Sequence, residues 1–481
     1  MSRKSDPFAD ADAVLEQASG IARNWVRRLA EQPVSKRLGP AEMAGLLAEP
    51  LPEHGSDASD VIQAWLDRAG DGIVASPGPR FFGFVNGGST PAALAGDWLA
   101  SAIDQNAGFW LSSPAAAQTE LVVLDWLKSL FHLPADWHGA VTSGATMSNL
   151  VGLAAARQWV GSQLGFDPAL DGLAGHPPIP VISSTEIHAS ARKALGTLGI
   201  GRASVQEVAA PGGAIDLDEL RATLGRLDGP AIVVANAGEV NTGAFDALDN
   251  VAEICRAHKL GVWLHVDGAF GLFAAASPRF RPLVTGIELA DSVAADGHKW
   301  LNVPYDSGFA FVRDVDMLRA AFNAIGPYIA PSADTGWDPA SHVPEMSRRF
   351  RALPAWCALK AYGRDGYRDL VERCCANAGS FGDWVESTSG IELLAPVPLN
   401  IVCFRVVAPD LSEAELDELN AEVTAVIQRD GRAFVTGTSW RGQYAIRAAF
   451  DNWATTQADV EILQQAVLDA RNRVLQETPR R

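Results

Sequence analysis

The chain has 481 residues, 48% hydrophobic and 20% charged, which supplies a large folded core and a satellite domain and excludes a disordered chain. A formal net charge of −18 repels a phosphate backbone, so binding of nucleic acid across a broad surface is excluded; the one dense basic cluster, Arg348, Arg349 and Arg351, is too short to reverse this. No apolar run reaches the roughly eighteen residues of a membrane span, and MSRKSDPFADADAVLEQ turns acidic where a secretory signal turns apolar, so no membrane contact and a cytoplasmic location are expected.

In chain order, residues 11–32 and 56–70 read as amphipathic helices, and the Gly/Pro-rich SPGPRFFGFVNGGST marks a boundary near residue 88. From 91 to 365 helical stretches (91–106, 114–130, 145–160, 216–226, 247–259) alternate with apolar runs suited to buried strands: AVTS, PVISS, AIVVANA, VWLHVD, DSVAAD and GFAFVRD. Strands separated by helices imply an α/β fold with a mostly parallel sheet covered on both faces. A helix-rich stretch at 354–387 leads to NIVCFRVV, a helix over 411–429, AFVTGTSW and QYAIRAAF joined by Arg441-Gly442, and a closing helix from about 457. The expected domains are an N-terminal helical segment (1–88), a large domain (89–365) and a small α+β C-terminal domain (366–481). Five cysteines, Cys255, Cys357, Cys374, Cys375 and Cys403, are odd in number and form neither a disulfide framework nor a CxxC knuckle, and no metal is expected.

Four motifs carry chemistry. In DSVAADGHKWLNVPYDSG, Lys299 follows His298 at the end of an apolar strand. Alone, such a lysine reads as a stem lining a core edge with its ammonium in solvent. Its context argues otherwise. VWLHVDGAFG places Asp267 at another strand end, followed by Gly268 and Ala269, where a flat ring could approach the backbone. A buried carboxylate needs a cationic partner, and a protonated pyridine nitrogen is one; the pairing keeps the ring electron-poor, ready to accept electrons from a breaking bond. AVTSGATMSNLVGLAAAR is a strand, a Thr142-Ser143-Gly144 turn and a helix starting near Ala145, whose free amides, with the Ser143, Thr146 and Ser148 hydroxyls, suit a phosphate. His188, in SSTEIHASARKAL, lies at a strand-to-helix junction where an imidazole could stack on the ring. Each of the last two motifs also has a purely structural reading, a helix cap or a core histidine. In an open α/β sheet, however, strand ends converge on one crevice, so four such signals can meet. Together they point to pyridoxal 5′-phosphate (PLP) bound as an imine on Lys299.

PRFFGFVNG, SSPAAAQTELVVLDWL, TSGATMSN, HVDGAFG, DGHKWL and RRFRALPAW, in this order, make the chain similar to the fold-type I, PLP-dependent group II decarboxylases that include aromatic-L-amino-acid and glutamate decarboxylases. The resemblance implies a seven-stranded, mostly parallel sheet and a homodimer with active sites at the interface. It implies that Lys299 carries the cofactor, Asp267 pairs with the ring nitrogen beside Ala269, His188 stacks on the ring, and Ser143, Gly144, Ala145 and Thr146 hold the phosphate, with Asp296 and His298 alongside. Arg447 would grip the substrate α-carboxylate, and Phe84, Asn86 and Phe109, near Phe82 and Trp110, would face an apolar or aromatic side chain. The implied reaction is decarboxylation of an L-amino acid to an amine and CO2.

Departures from the family pattern keep other chemistries open. Asp296 stands where aromatic decarboxylases usually carry Asn, NAGEVNTGAFD puts Glu239 and Asn241 in a loop that is often Thr-rich, and in 327–346 Tyr328 does not align with the family's protonating tyrosine, whose neighbourhood holds Trp337 to Pro339. Without that acid, decarboxylation coupled to oxidative deamination would give an aldehyde. The Asp-Gly-His-Lys segment also resembles sphingosine-phosphate lyase relatives, which keeps carbon–carbon lyase or aldolase action on a hydroxy-amino acid open; transamination fits less well. A PLP-binding regulator would carry a basic DNA-binding helix pair, and residues 1–88 have none.

Overall fold

Contiguous runs of small and branched apolar residues build the central sheet, because a strand covered on both faces needs no polar alternation. The computed structural model describes residues 11–35, 38–323 and 337–477. Its strands are β1 (His138–Thr142), β2 (Val181–Ser184), β3 (Val205–Val208), β4 (Ala231–Asn236), β5 (Val262–Asp267), β6 (Ser292–Asp296) and β7 (Gly308–Val312), in the order β1-β7-β6-β5-β4-β2-β3. Only β7 opposes its neighbours; the other pairings are parallel. Successive residues enter opposite cores. Val233, Ala235, Leu264, Val266, Phe309 and Phe311 lie in one cluster, and Ile232, Val234, Trp263, Ala310 and Val312 in the other. Each large side chain so buried contributes roughly 1.5–3 kcal/mol.

Six of these strands coincide with the apolar runs of the sequence. The seventh, β3, escapes that reading because it is an edge strand whose Gln206 and Glu207 are exposed. The expected helices appear as Pro91–Ile103, Pro114–Phe131, Ala145–Gln163, Leu217–Leu224 and Leu248–Ala257. Helix Ala352–Ser387 is broken at Gly363, whose φ of 61° and ψ of −171° leave the helical region, where glycine is the permissive residue.

The chain divides into two compact units that do not follow its linear order. The larger holds residues 85–405 and 447–453, including the whole central sheet. The smaller joins the N-terminal stretch ending at Phe84 to residues 406–446 and 454–481, so residues 366–405 group with the large unit. Within the smaller unit Phe81 stacks on Phe434 with centroids 4.5 Å apart, and the Phe82 amide donates to the Phe434 carbonyl at 2.8 Å. Strands Thr436–Trp440 and Gln443–Ala449 meet through Arg441 (φ 51°) and Gly442 (φ 80°), a turn with both central residues left-handed. Among the described residues no helix is long and apolar enough to cross a membrane, and all five cysteines are free.

Candidate active site

Because β1, β2, β4, β5 and β6 run in one direction, their carboxyl ends open on the same edge of the sheet. Asp267 and Asp296 are the last residues of β5 and β6, His188 follows β2, and Lys299 follows β6 by one turn.

Lys299 is mostly buried; its Nζ lies 3.0 Å from Asp296 Oδ2 and 5.9 Å from the Phe270 ring centre. Its carbonyl lies so close to Gly87 that a Cβ there would sit 1.9 Å from the oxygen, which admits glycine alone. Asp296 Oδ1 accepts the Ala145 amide, so a buried carboxylate caps helix Ala145–Gln163 at the expected phosphate end. Gly144 adjoins this cap: a Cβ there would lie 3.2 Å from His298 Cε1 and 3.3 Å from Asp296 Oδ1. Thr146 is exposed, Ser143 is half-buried, and Ser148 is turned inward, its hydroxyl 2.7 Å from Thr142 Oγ1. Ser148 is therefore committed to the helix start rather than to a ligand.

His298 donates from Nδ1 to the Ser307 carbonyl at 3.1 Å and stacks on Tyr305 at 4.3 Å, and burial lowers its pKa. The Tyr305 hydroxyl donates to Asn86 Oδ1, and burial together with Asp451 and Asp296 pushes it up to about 12. Asp267 is 5% exposed. Its Oδ2 accepts from Asn149 Nδ2 at 2.8 Å and its Oδ1 from the Ala269 amide at 3.2 Å; among the described residues it has no salt bridge. His188 caps helix Ala189–Thr197, and burial holds its imidazole below the usual range.

Arg447 is buried, donates from Nη1 to the Val240 carbonyl, and is lowered to about 10 by burial against the opposing charge of Glu239. Glu239 closes its own turn, accepting from Thr242 and from the Asn241 amide at 2.7 Å, and burial raises its pKa. Phe109 is half-buried at the turn entering helix Pro114–Phe131. Phe84 belongs to the smaller unit, where it is 59% exposed and lies 6.5 Å from both Phe81 and Phe434; no placement at the site follows from its being two residues before Asn86. Tyr328 lies outside the described residues.

Three residues of this edge went unremarked in the sequence. Asn149 is legible in hindsight as one helical turn past Ala145. Asn302, left-handed at φ 53°, donates to the Trp300 and Asp451 carbonyls and accepts from the Gly88 and Trp453 amides. That clamp fixes Asp451 against the Lys299 turn. Asp451 is 1% exposed, its Oδ2 has no hydrogen-bond partner among the described residues, and burial pushes its pKa up to about 7 against the pull of Lys299 and Arg447.

Residues 40–407 match the model of the pyridoxal-dependent decarboxylase conserved domain. The chain belongs to this family. It is 29% identical over 461 residues to an aromatic-L-amino-acid decarboxylase of Bacillus atrophaeus, covering 92% of each chain. It is 26% identical to a phenylacetaldehyde synthase of Arabidopsis thaliana, over 91% of each. Its fold is that of Oryza sativa TDC solved with PLP and tryptamine, at a TM-score of 0.90 and 24% identity over 98% of this chain and 99% of that one. The protein is thus a PLP-dependent amino acid decarboxylase of fold type I. The residues present suit the cofactor: a buried carboxylate without a resident cation, a primary amine at a strand end, and a helix N-terminus reached past a glycine.

Proposed function

We propose that this decarboxylase acts on an aromatic L-amino acid, releasing CO2 and the amine, with Lys299 Nζ as the atom that holds PLP. Asp267 carries the reading: a carboxylate sunk in the sheet edge and met only by neutral N–H donors is suited to a cation that arrives from outside. Bound PLP supplies an electron sink for the pair left when a bond to the substrate α-carbon breaks. Asp267 would keep the ring nitrogen protonated, Gly144 and the exposed Thr146 would meet the phosphate, and His188 would cover the ring. Arg447 would grip the substrate α-carboxylate and fix the orientation of its bond to the α-carbon. His188 or Lys299 would return a proton to the α-carbon.

An aromatic rather than acidic substrate is supported by the relative named for aromatic amino acids. The carboxylate of Asp296, buried beside Lys299, would repel an acidic side chain. The proposal includes a homodimer, supported by exposed Trp98, Leu99 and Ile103 along helix Pro91–Ile103, and a cytoplasmic location, which suits five free cysteines. The second reading, oxygen-dependent conversion to an aldehyde, is favoured by the likeness to phenylacetaldehyde synthase.

A product screen of the PLP-loaded protein by mass spectrometry, over the twenty amino acids with and without oxygen, tests both. Amine from an aromatic substrate in either atmosphere supports the first. Aldehyde with ammonia and peroxide, only in oxygen, moves the enzyme to the second. Lys299→Ala should lose both turnover and the visible absorbance of bound cofactor; retained turnover removes Lys299 from its role.

A further inference from the structure

One amide side chain joins the two residues assigned above to the cofactor ring. Asn149 is fully buried; its Oδ1 lies 2.9 Å from His265 Nε2, and its Nδ2 lies 2.8 Å from Asp267 Oδ2 and 3.1 Å from Ser190 Oγ. Behind it, His265 Nδ1 is 2.8 Å from Ser292 Oγ, which is also 2.8 Å from the indole nitrogen of Trp263. Ahead of it, Ser190 Oγ is 2.7 Å from His188 Nδ1, which the Ser190 amide approaches at 3.2 Å.

The ends of this chain dictate its direction, since an indole N–H only donates and a carboxylate only accepts. Ser292 therefore takes the Trp263 hydrogen and gives its own to His265 Nδ1. His265 is held neutral, burial having pushed its pKa down to about 4, so its remaining hydrogen is on Nε2 and goes to Asn149 Oδ1. Both Asn149 Nδ2 hydrogens then point forward, one to Asp267 and one to Ser190, and the Ser190 hydroxyl passes its hydrogen to His188 Nδ1. Nδ1 of His188 receives two hydrogens, which leaves the ring's own proton on Nε2.

We propose that Asn149 is a positioning residue with two outputs: it aims the Asp267 carboxylate with a neutral donor that leaves its charge uncompensated, and through Ser190 it locks His188 as the Nε2–H tautomer. This rests on the roles assigned to Asp267 and His188 above. As that tautomer His188 offers a donor at Nε2, suited to a substrate oxygen, and cannot accept a proton there until it has given one up. A cation in place of the amide would neutralise Asp267 before the cofactor arrived. A carboxylate would repel it.

The test uses holoenzyme labelled with nitrogen-15 histidine, with the His188 signals identified by their loss in His188→Gln. Nitrogen chemical shifts report the tautomer, and the decay of visible absorbance on dilution reports cofactor release. In the wild type, His188 should show an unprotonated Nδ1 and a protonated Nε2. Asn149→Ala should speed cofactor release at least tenfold and mix the His188 tautomers. Ser190→Ala should leave release within about twofold while still disturbing His188, because only one branch is cut. A wild-type His188 protonated at Nδ1 overturns the proposal, as does an Asn149→Ala protein that merely melts earlier with release and tautomer unchanged. Should Asn149→Ala not fold, the wild-type shifts and Ser190→Ala still decide. Normal cofactor release in Asp267→Ala would instead sink the underlying assignment of Asp267, and the His188 tautomer is read independently of it.

Discussion

Glu120 and Asp267 are both almost fully buried carboxylates in the large unit, and their partners differ in kind. Glu120 receives both Arg348 Nη groups at 3.0 Å and the Val141 amide at 2.9 Å, while Arg348 also donates to the Ala107 and Val141 carbonyls. The two charges are matched within the chain, and the pair ties helix Pro114–Phe131, strand β1 and the RRFRALPAW segment together. Asp267 receives only amide hydrogens. A buried charge with a resident counter-ion serves the fold, whereas Asp267, held by neutral donors at the carboxyl edge of the sheet, is suited to a cation that arrives from outside.

Removing each partner should break the molecule in different places. Asp267→Ala should lower kcat/KM by about 10²–10³-fold and weaken PLP retention, the consequence of stranding a buried cation at roughly 3–5 kcal/mol, while the melting temperature without cofactor changes little. A variant with near-normal rate would show that the ring nitrogen needs no such partner. Arg348→Met should do the reverse. Leaving Glu120 unpaired costs about 3–5 kcal/mol of folding stability, measurable by urea denaturation, yet the folded fraction should bind PLP with normal absorbance. Loss of the cofactor spectrum in folded protein would erase the contrast.

Arg447 tests whether a buried cation can also be held ready for a ligand. Its guanidinium donates to the Val240 carbonyl and faces Glu239, whose carboxylate is engaged with its own turn. Arg447→Met should raise KM for every amino acid substrate by about 10–100-fold, the worth of a charge-assisted hydrogen bond, with cofactor absorbance intact. An unchanged KM assigns the carboxylate to another group.

Much of this was legible before any coordinates. Strands buried on both faces must be continuous apolar runs, so β4 to β7 stand out, and the residues that end them, Asp267 and Asp296, fall where a parallel sheet gathers its ligands. What was not legible depends on the third dimension. Edge strand β3 has no buried pair of faces to leave a pattern. Asn149 and His265 look like an ordinary helix residue and an ordinary strand residue until Trp263 and Ser292 meet behind them. Phe84 is two residues from Asn86 in sequence, yet it has a left-handed φ of 56° and packs with Phe81 and Phe434. Nothing in FDNWATT announces that Asn302 will pin Asp451 beside Lys299.

Asp451 sharpens the comparison because it is neither kind of carboxylate: its Oδ2 has no hydrogen-bond partner among the described residues, and the cations facing it, Lys299 and Arg447, are shared with other groups. Its carboxyl rises from 3.8 to about 7 on folding. Between these two values the folded protein keeps a proton that the unfolded chain has released. Stability therefore falls as pH rises from about 4 to about 7 and levels off above, where the buried carboxylate is ionised in both states. Asp246, raised to about 6 by burial, adds a similar fall that ends earlier. Asp451→Asn removes only the first contribution, so relative to wild type the variant should gain stability progressively across that window, reaching on the order of 1–2 kcal/mol by pH 8. Urea titrations at pH 5 and pH 8 read this directly. A difference between the two proteins that is the same at both pH values would mean that Asp451 is already ionised in the folded state at pH 5, paired like Glu120 rather than left open beside Lys299.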